Sequence, residues 1–260
     1  MWSWLPWARA RRRRLRETPL PAEAWEVLRA DVPLVQRLTE AERHRLEGLV
    51  QVFLDDKTIE GCGGLVVTDA MRWVIAAQAC VLLLGLDVDL PYAGLHVVRV
   101  YPSTYAAAVV DHDGVLTAEG DQQRLGESSR HGYVVLSWDA ARRGGQRPSD
   151  GDNVVLHEFA HQLDTADGRA DGAPLLPSAL YGPWATALGD AFSELQQDVA
   201  ARRRSVIDAY GATNPAEFFA VVTETFFEQP ERLQAGWPEV YAVLAQYYRQ
   251  DPAARAAAAT

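Results

Sequence analysis

Leucine, valine and tryptophan recur at helical spacing between residues 22 and 55. Thr39-Glu40-Ala41-Glu42 offers a helix start ahead of Leu46, Leu49, Val50, Phe53 and Leu54. Thr68-Asp69 opens an apolar helix that runs through Leu84 and that Gly85 can end. The pattern then changes period. Leu95 to Tyr101 and Tyr133 to Trp138 are short β-branched runs separated by Gly-rich and charged connections, and they read as strands of a small sheet. A polar loop from Arg142 to Gly151 follows, after which Asp150, Asp152 or Asn153 can cap another helix. Further helices are expected from Ala185 to Arg203, from Pro215 onward, where proline suits a first turn, and from Pro238 to Gln250. The expected architecture is therefore α+β and helix-rich. It has a basic, aromatic N-terminal arm (1–20), one domain (21–252, with a helical part 21–90 and a second part 91–252) and an Ala-rich tail (253–260).

Composition narrows the function classes. Hydrophobic residues make up 48% of the 260, enough for a sizeable core. A net charge of -10 argues against direct nucleic-acid binding, which rests on clustered Lys and Arg. Two cysteines, Cys62 and Cys80, make neither a disulfide framework nor a metal knuckle and suit a reducing cytoplasm. The longest apolar run, Trp73 to Leu86, is too short for a membrane span. In the arm, Trp2, Trp4 and Trp7 precede six arginines between Arg9 and Arg16. That order does not fit a secretory signal, in which charge comes before an apolar run. Aromatic and basic residues together could rest on an anionic surface, although a solvated, partly disordered arm is the commoner behaviour of such a block.

The chemistry concentrates in Val154-Val155-Leu156-His157-Glu158-Phe159-Ala160-His161-Gln162-Leu163-Asp164. Histidines four apart project from one helix face and can share an ion, while Glu158 is turned toward a metal-bound water. Chance spacing of two unconnected histidines is the alternative, and a third ligand decides between them. Glu217 and Glu224 are the candidates, two turns apart on one face of the helix that starts at Pro215. Glu217 sits between Ala216 and Phe218, and a carboxylate in apolar company needs a partner. Glu217 is therefore taken as the ligand and Glu224 as its outer support or a helix-end ion pair.

HEFAHQLD followed by IDAYGATNPAEFFAVVTETFF resembles the Mlc titration factor A family of bacterial zinc-dependent peptidases. LDTADGRADGAP, GLHVVRVYPSTY and GYVVLSWD extend the likeness to about residues 20 to 252. The family is in turn similar to the catalytic domain of lethal-factor-type toxins, which places it among the gluzincins. The resemblance implies a zincin-type fold and one zinc per chain, held by His157, His161 and Glu217. It also implies Glu158 as base and acid, and Tyr210 as a hydrogen-bond donor to the reacting carbonyl. Many gluzincins orient a ligand histidine with an acid one turn after the ligand glutamate. That position here is Val221, and Asp164, three residues after His161, is the acid the sequence offers instead.

Two functions follow as expectations. The first is a cytoplasmic zinc peptidase acting on peptide or protein substrates, with an aminopeptidase mode implied by the resemblance. Its substrate would lie along a sheet edge, for which Tyr133 to Trp138 is the candidate. The second is a regulator that sequesters a transcriptional repressor of sugar uptake, with or without hydrolysis.

Overall fold

A computed structural model describes residues 6–103, 109–110, 116–117, 126–129 and 132–258. Helix α1 (Pro6–Arg16) leads to α2 (Ala22–Asp31), a 3-10 turn (Pro33–Arg37) and α3 (Glu40–Asp56). α3 begins where the sequence predicts. The Thr39 hydroxyl accepts from the Glu42 backbone N–H, and the Glu42 carboxylate accepts from the Thr39 N–H, so two first-turn donors are satisfied together. Strand β1 (Thr58–Gly61), helix α4 (Asp69–Val81) and strand β2 (Val97–Tyr101) follow. The short pair β3 (Val109–Val110) and β4 (Leu116–Thr117) comes next, then β5 (Gly126–Ser129) and β6 (Tyr133–Ser137). The remaining helices are α5 (Trp138–Gln146), α6 (Val154–Asp164), α7 (Tyr181–Ala200), α8 (Pro215–Glu228), α9 (Pro230–Gly236), α10 (Pro238–Tyr248) and α11 (Pro252–Ala258).

The main sheet has the order β1-β2-β6-β5. β1, β2 and β6 run parallel, while β5 pairs antiparallel with β6. This corrects one expectation. Tyr133–Ser137 is bonded on both sides and offers no free edge, so the outer strand next to it is Gly126–Ser129. The sequence Gly-Glu-Ser-Ser carries no β-branched or alternating pattern that would have marked it as a strand.

Two helices are enclosed by the rest. Every residue of α4 from Val74 to Val81 is buried, as is every residue of α8 from Phe218 to Glu228. Helices apolar on all sides belong in an interior, and these two bring polar residues inside with them, among them Gln78, Glu224 and Glu228. The same core holds Val98, Val100, Val134 and Leu136 of the sheet and Phe159 of α6. Cys80 lies in it too, where burial pushes its thiol far up from the usual range. Cys62, just after β1, is half-buried.

Both ends of the chain depart from expectation. Residues 6–16 form a helix pinned to the body, not a disordered arm. Arg11 pairs with Asp55, Arg12 with Asp89, and the Arg16 guanidinium donates to the carbonyls of Val88 and Asp89 at 2.7 and 2.8 Å. α1 lies close on α3, since a Cβ at Gly48 would come within 2.7 Å of the Arg16 carbonyl. Trp7, Arg9, Arg13 and Arg14 remain exposed. At the other end, the expected tail is helical from Pro252 to Ala258, tied back by an Arg255–Glu42 ion pair. Among the described residues no helix is long and apolar enough to cross a membrane.

Candidate metal centre

α6 is started by Asn153, whose side-chain oxygen accepts from the Val155 and Leu156 N–H groups at 3.1 and 3.0 Å. One turn in, His157 and His161 stand one above the other along the helix, edge to face, with ring centroids 4.8 Å apart. α8 is capped in the same way. Asn214 accepts from the Glu217 N–H at 3.0 Å, Pro215 opens the first turn, and Glu217 ends up facing the two rings. The Glu217 Oε2 lies 3.1 Å from His157 Nε2 and 3.3 Å from His161 Nε2, and the two nitrogens are 3.2 Å apart. Ligands on a zinc ion at tetrahedral angles, with bonds of about 2.0–2.1 Å, stand about 3.3 Å from one another. The triangle therefore has the dimensions of one face of such a tetrahedron. Two nitrogens and a carboxylate oxygen are the donors a catalytic zinc takes, and these residues fit it. Among the described residues this is the one group of three or more such side chains whose ligand atoms converge within 4.8 Å.

Behind the triangle, His157 Nδ1 meets Glu224 Oε1 at 2.8 Å. With Nδ1–H donating to that carboxylate, the Nε2 lone pair is left facing Glu217 and His161, the tautomer that a metal requires. The other Glu224 oxygen accepts from the Asn153 backbone N–H at 2.6 Å. The local field favours a cation. Burial works against charge on His157, yet the hydrogen bonds to Glu217 and Glu224 outweigh it and hold its pKa well above the usual value. Burial likewise opposes ionisation of Glu217, and the His157 and His161 bonds overcome it, keeping that carboxyl far below its ordinary range.

The other expected residues lie close by. Glu158 is buried on α6 beside His157, whose ring feels its charge. Tyr210, in a 3-10 turn (Ala209–Ala212) fixed by Asp208 accepting the Tyr210 N–H, places its ring 6.0 Å from that of His157 and remains 46% exposed. Asp164, buried at the end of α6, accepts the Gly172 N–H through Oδ2 at 3.1 Å and holds the loop after α6, while Glu224 is the acid bonded to His157. That loop reaches the other ligand helix. The Gly172 carbonyl takes the Trp184 indole N–H at 3.0 Å, and a Cβ on Gly172 would fall 2.4 Å from the Pro215 carbonyl. Sequence reasoning weighed Asn153 only as a cap and missed Glu228. Gln78, a polar residue inside an otherwise apolar helix, was the available signal.

The family model described as glucose-regulated metallo-peptidase M90 matches residues 6–249. An uncharacterized protein of Synechocystis sp. is 40% identical over 97% of this chain and 92% of its own length. Mlc titration factor A of Klebsiella pneumoniae is 34% identical, covering 89% of this chain and 87% of its own. The protein of the same name from Pectobacterium atrosepticum is 32% identical over 90% and 88%.

Proposed function

The chain belongs to the glucose-regulated metallo-peptidase family M90, and on that premise we propose that it is a zinc peptidase of the gluzincin type with one ion per chain, held by His157, His161 and Glu217. The observation that carries this reading is the triangle of donor atoms with 3.1–3.3 Å edges, backed by Glu224 on the outer nitrogen of His157. Bound there, zinc supplies Lewis acidity, polarising the scissile carbonyl and lowering the pKa of water to about 7. Glu158 takes the proton from the attacking water and returns it to the leaving amine. The Tyr210 hydroxyl donates to the carbonyl oxygen as negative charge builds on it. Glu224 keeps the His157 ring from rotating. An extended peptide laid along β5, the outer strand beside β6 among the described residues, would extend the sheet by strand addition. Cleavage from the amino end is the mode the family resemblance implies.

The name shared by the two Mlc titration factor A relatives supports a second reading, in which the chain sequesters a transcriptional repressor without hydrolysing it. One experiment addresses both. Glu158→Gln keeps all three ligands and removes the base, so zinc content should stay at one per chain while peptide hydrolysis falls to background. A wild-type chain that takes up no zinc would overturn the peptidase reading. Repressor capture that survives Glu158→Gln would separate binding from proteolysis.

A further inference from the structure

Three helices meet at Asn153. Its Nδ2 donates to Gln78 Oε1 on α4 and to Glu228 Oε1 on α8, both at 2.9 Å. Its Oδ1 caps α6, and its backbone N–H donates to Glu224 Oε2. Each polar atom of the side chain is engaged, and the residue is 3% exposed. Its partners are anchored in turn. The Gln78 amide donates to the carbonyls of Val74 and Ala141 at 3.2 and 3.1 Å, and Glu228 Oε2 accepts from the Gly151 N–H at 3.1 Å.

A helix cap does not need this arrangement. Serine, aspartate and asparagine cap about equally well through one oxygen, and bringing Gln78 and Glu228 into the interior costs free energy unless each polar group finds a partner. The amide donors of Asn153 satisfy both residues, and in return they hold the Asn153 backbone where its N–H can meet Glu224.

We propose that Asn153 is a positioning residue for His157, acting through Glu224, with Gln78 and Glu228 locking it in place. The line of bonds runs from Gln78 and Glu228 to the Asn153 amide, from the Asn153 N–H to Glu224 Oε2, and from Glu224 Oε1 to His157 Nδ1. The part of the test that uses zinc rests on the zinc reading above, and the part that follows the His157 ring does not.

Asn153→Ser keeps a capping oxygen, adds no charge and removes both amide donors. Zinc affinity, measured on full-length chain by competition with a chelator, is expected to fall about tenfold, the scale of lost support around a metal ligand. The melting temperature of the metal-free chain, followed in parallel, reports any loss of the fold itself. In proton spectra of chain with nitrogen-15-labelled histidine, the His157 Nδ1–H should resonate downfield in the wild type and lose that position in the variant. Unchanged zinc affinity would overturn the proposal. If the wild-type chain takes up no zinc, the zinc reading fails and the proton resonance decides the positioning role: a shift in Asn153→Ser supports it, an unchanged resonance overturns it. Should Asn153→Ser fail to fold, Asn153→Asp compared with the double variant Asn153→Asp, Glu228→Gln decides. The second change restores a donor–acceptor pair between positions 153 and 228 but leaves Gln78 Oε1 without its donor, so it should recover part of the zinc affinity, and equal weakness in both would overturn the proposal.

Discussion

Glu217 and Glu224 lie on one face of α8, and depth separates their roles. Glu217, its side chain 19% exposed, reaches the Nε2 atoms of both histidines, whereas Glu224, at 7%, reaches only the outer nitrogen of His157. Tyr210 differs from both in standing at the rim. Tyr210→Phe keeps the ring beside His157 and removes only the hydroxyl. It should lower kcat by about a hundredfold, as loss of an oxyanion donor does, with KM and zinc affinity nearly unchanged. Steady-state kinetics on a chromogenic peptide measure this, and a change confined to KM would assign the ring to substrate packing. The histidine pair, Glu158 and Glu217 were legible in the sequence because helical spacing is local. The division between Glu217 and Glu224 was read from the apolar neighbours of Glu217, and the geometry agrees, with Glu217 beside both Nε2 atoms and Glu224 on the outer nitrogen of His157. Spacing alone does not place Asp164. Its neighbour along the chain is His161, but its neighbour in space is the backbone of Gly172.

α6 and α8 carry all three side chains of the triangle, so the register between them sets its size. The loop from Thr165 to Pro174 helps hold that register through the Asp164–Gly172 bond and the close approach of Gly172 to Pro215. Gly172 (φ +76°) and Gly168 (φ +88°) both adopt the left-handed conformation, but a Cβ on Gly168 meets nothing within 4 Å. Gly168→Ala and Gly172→Ala therefore share the backbone strain and differ in the collision. Both should lose stability in urea, each by about 1–3 kcal/mol from strain, with Gly172→Ala the larger loss. Only Gly172→Ala should also weaken zinc binding, because only it displaces the first turn of α8. Equal zinc affinities would show that the loop does not set the register. Helix starts were legible at this scale, since Thr39, Asn153 and Pro215 act within one turn. α1 was not, because the acids that pin its arginines, Asp55 and Asp89, arrive 44 and 77 residues later.

Taken whole, the molecule carries a charge of -10 and still encloses acids. Glu228 is the clearest case, since burial pushes its carboxyl up from 4.5 to about 9. Between those values the folded chain keeps a proton that the unfolded chain has released. The contribution of this group to stability is therefore full in acid and is lost as pH rises toward 9. The metal-free wild type, compared with Glu228→Gln by urea unfolding from pH 5 to pH 9, should lose ground steadily, at most about 1.4 kcal/mol per pH unit. A difference independent of pH would mean that Glu228 is ionised in the fold. Helix-rich α+β character was readable from periodicity. The convergence of α4, α6 and α8 on one asparagine was not, because it depends on contacts across 71 and 75 residues of chain.

The two cysteines differ in depth. Cys80 is sealed in α4 with its thiol held in the unreactive protonated form, while Cys62 is half-buried after β1. Of the two sulfurs, that of Cys62 is the one a dye or a spin label would reach first. The other is a silent reporter that an alkylating reagent reaches only when the core itself has opened.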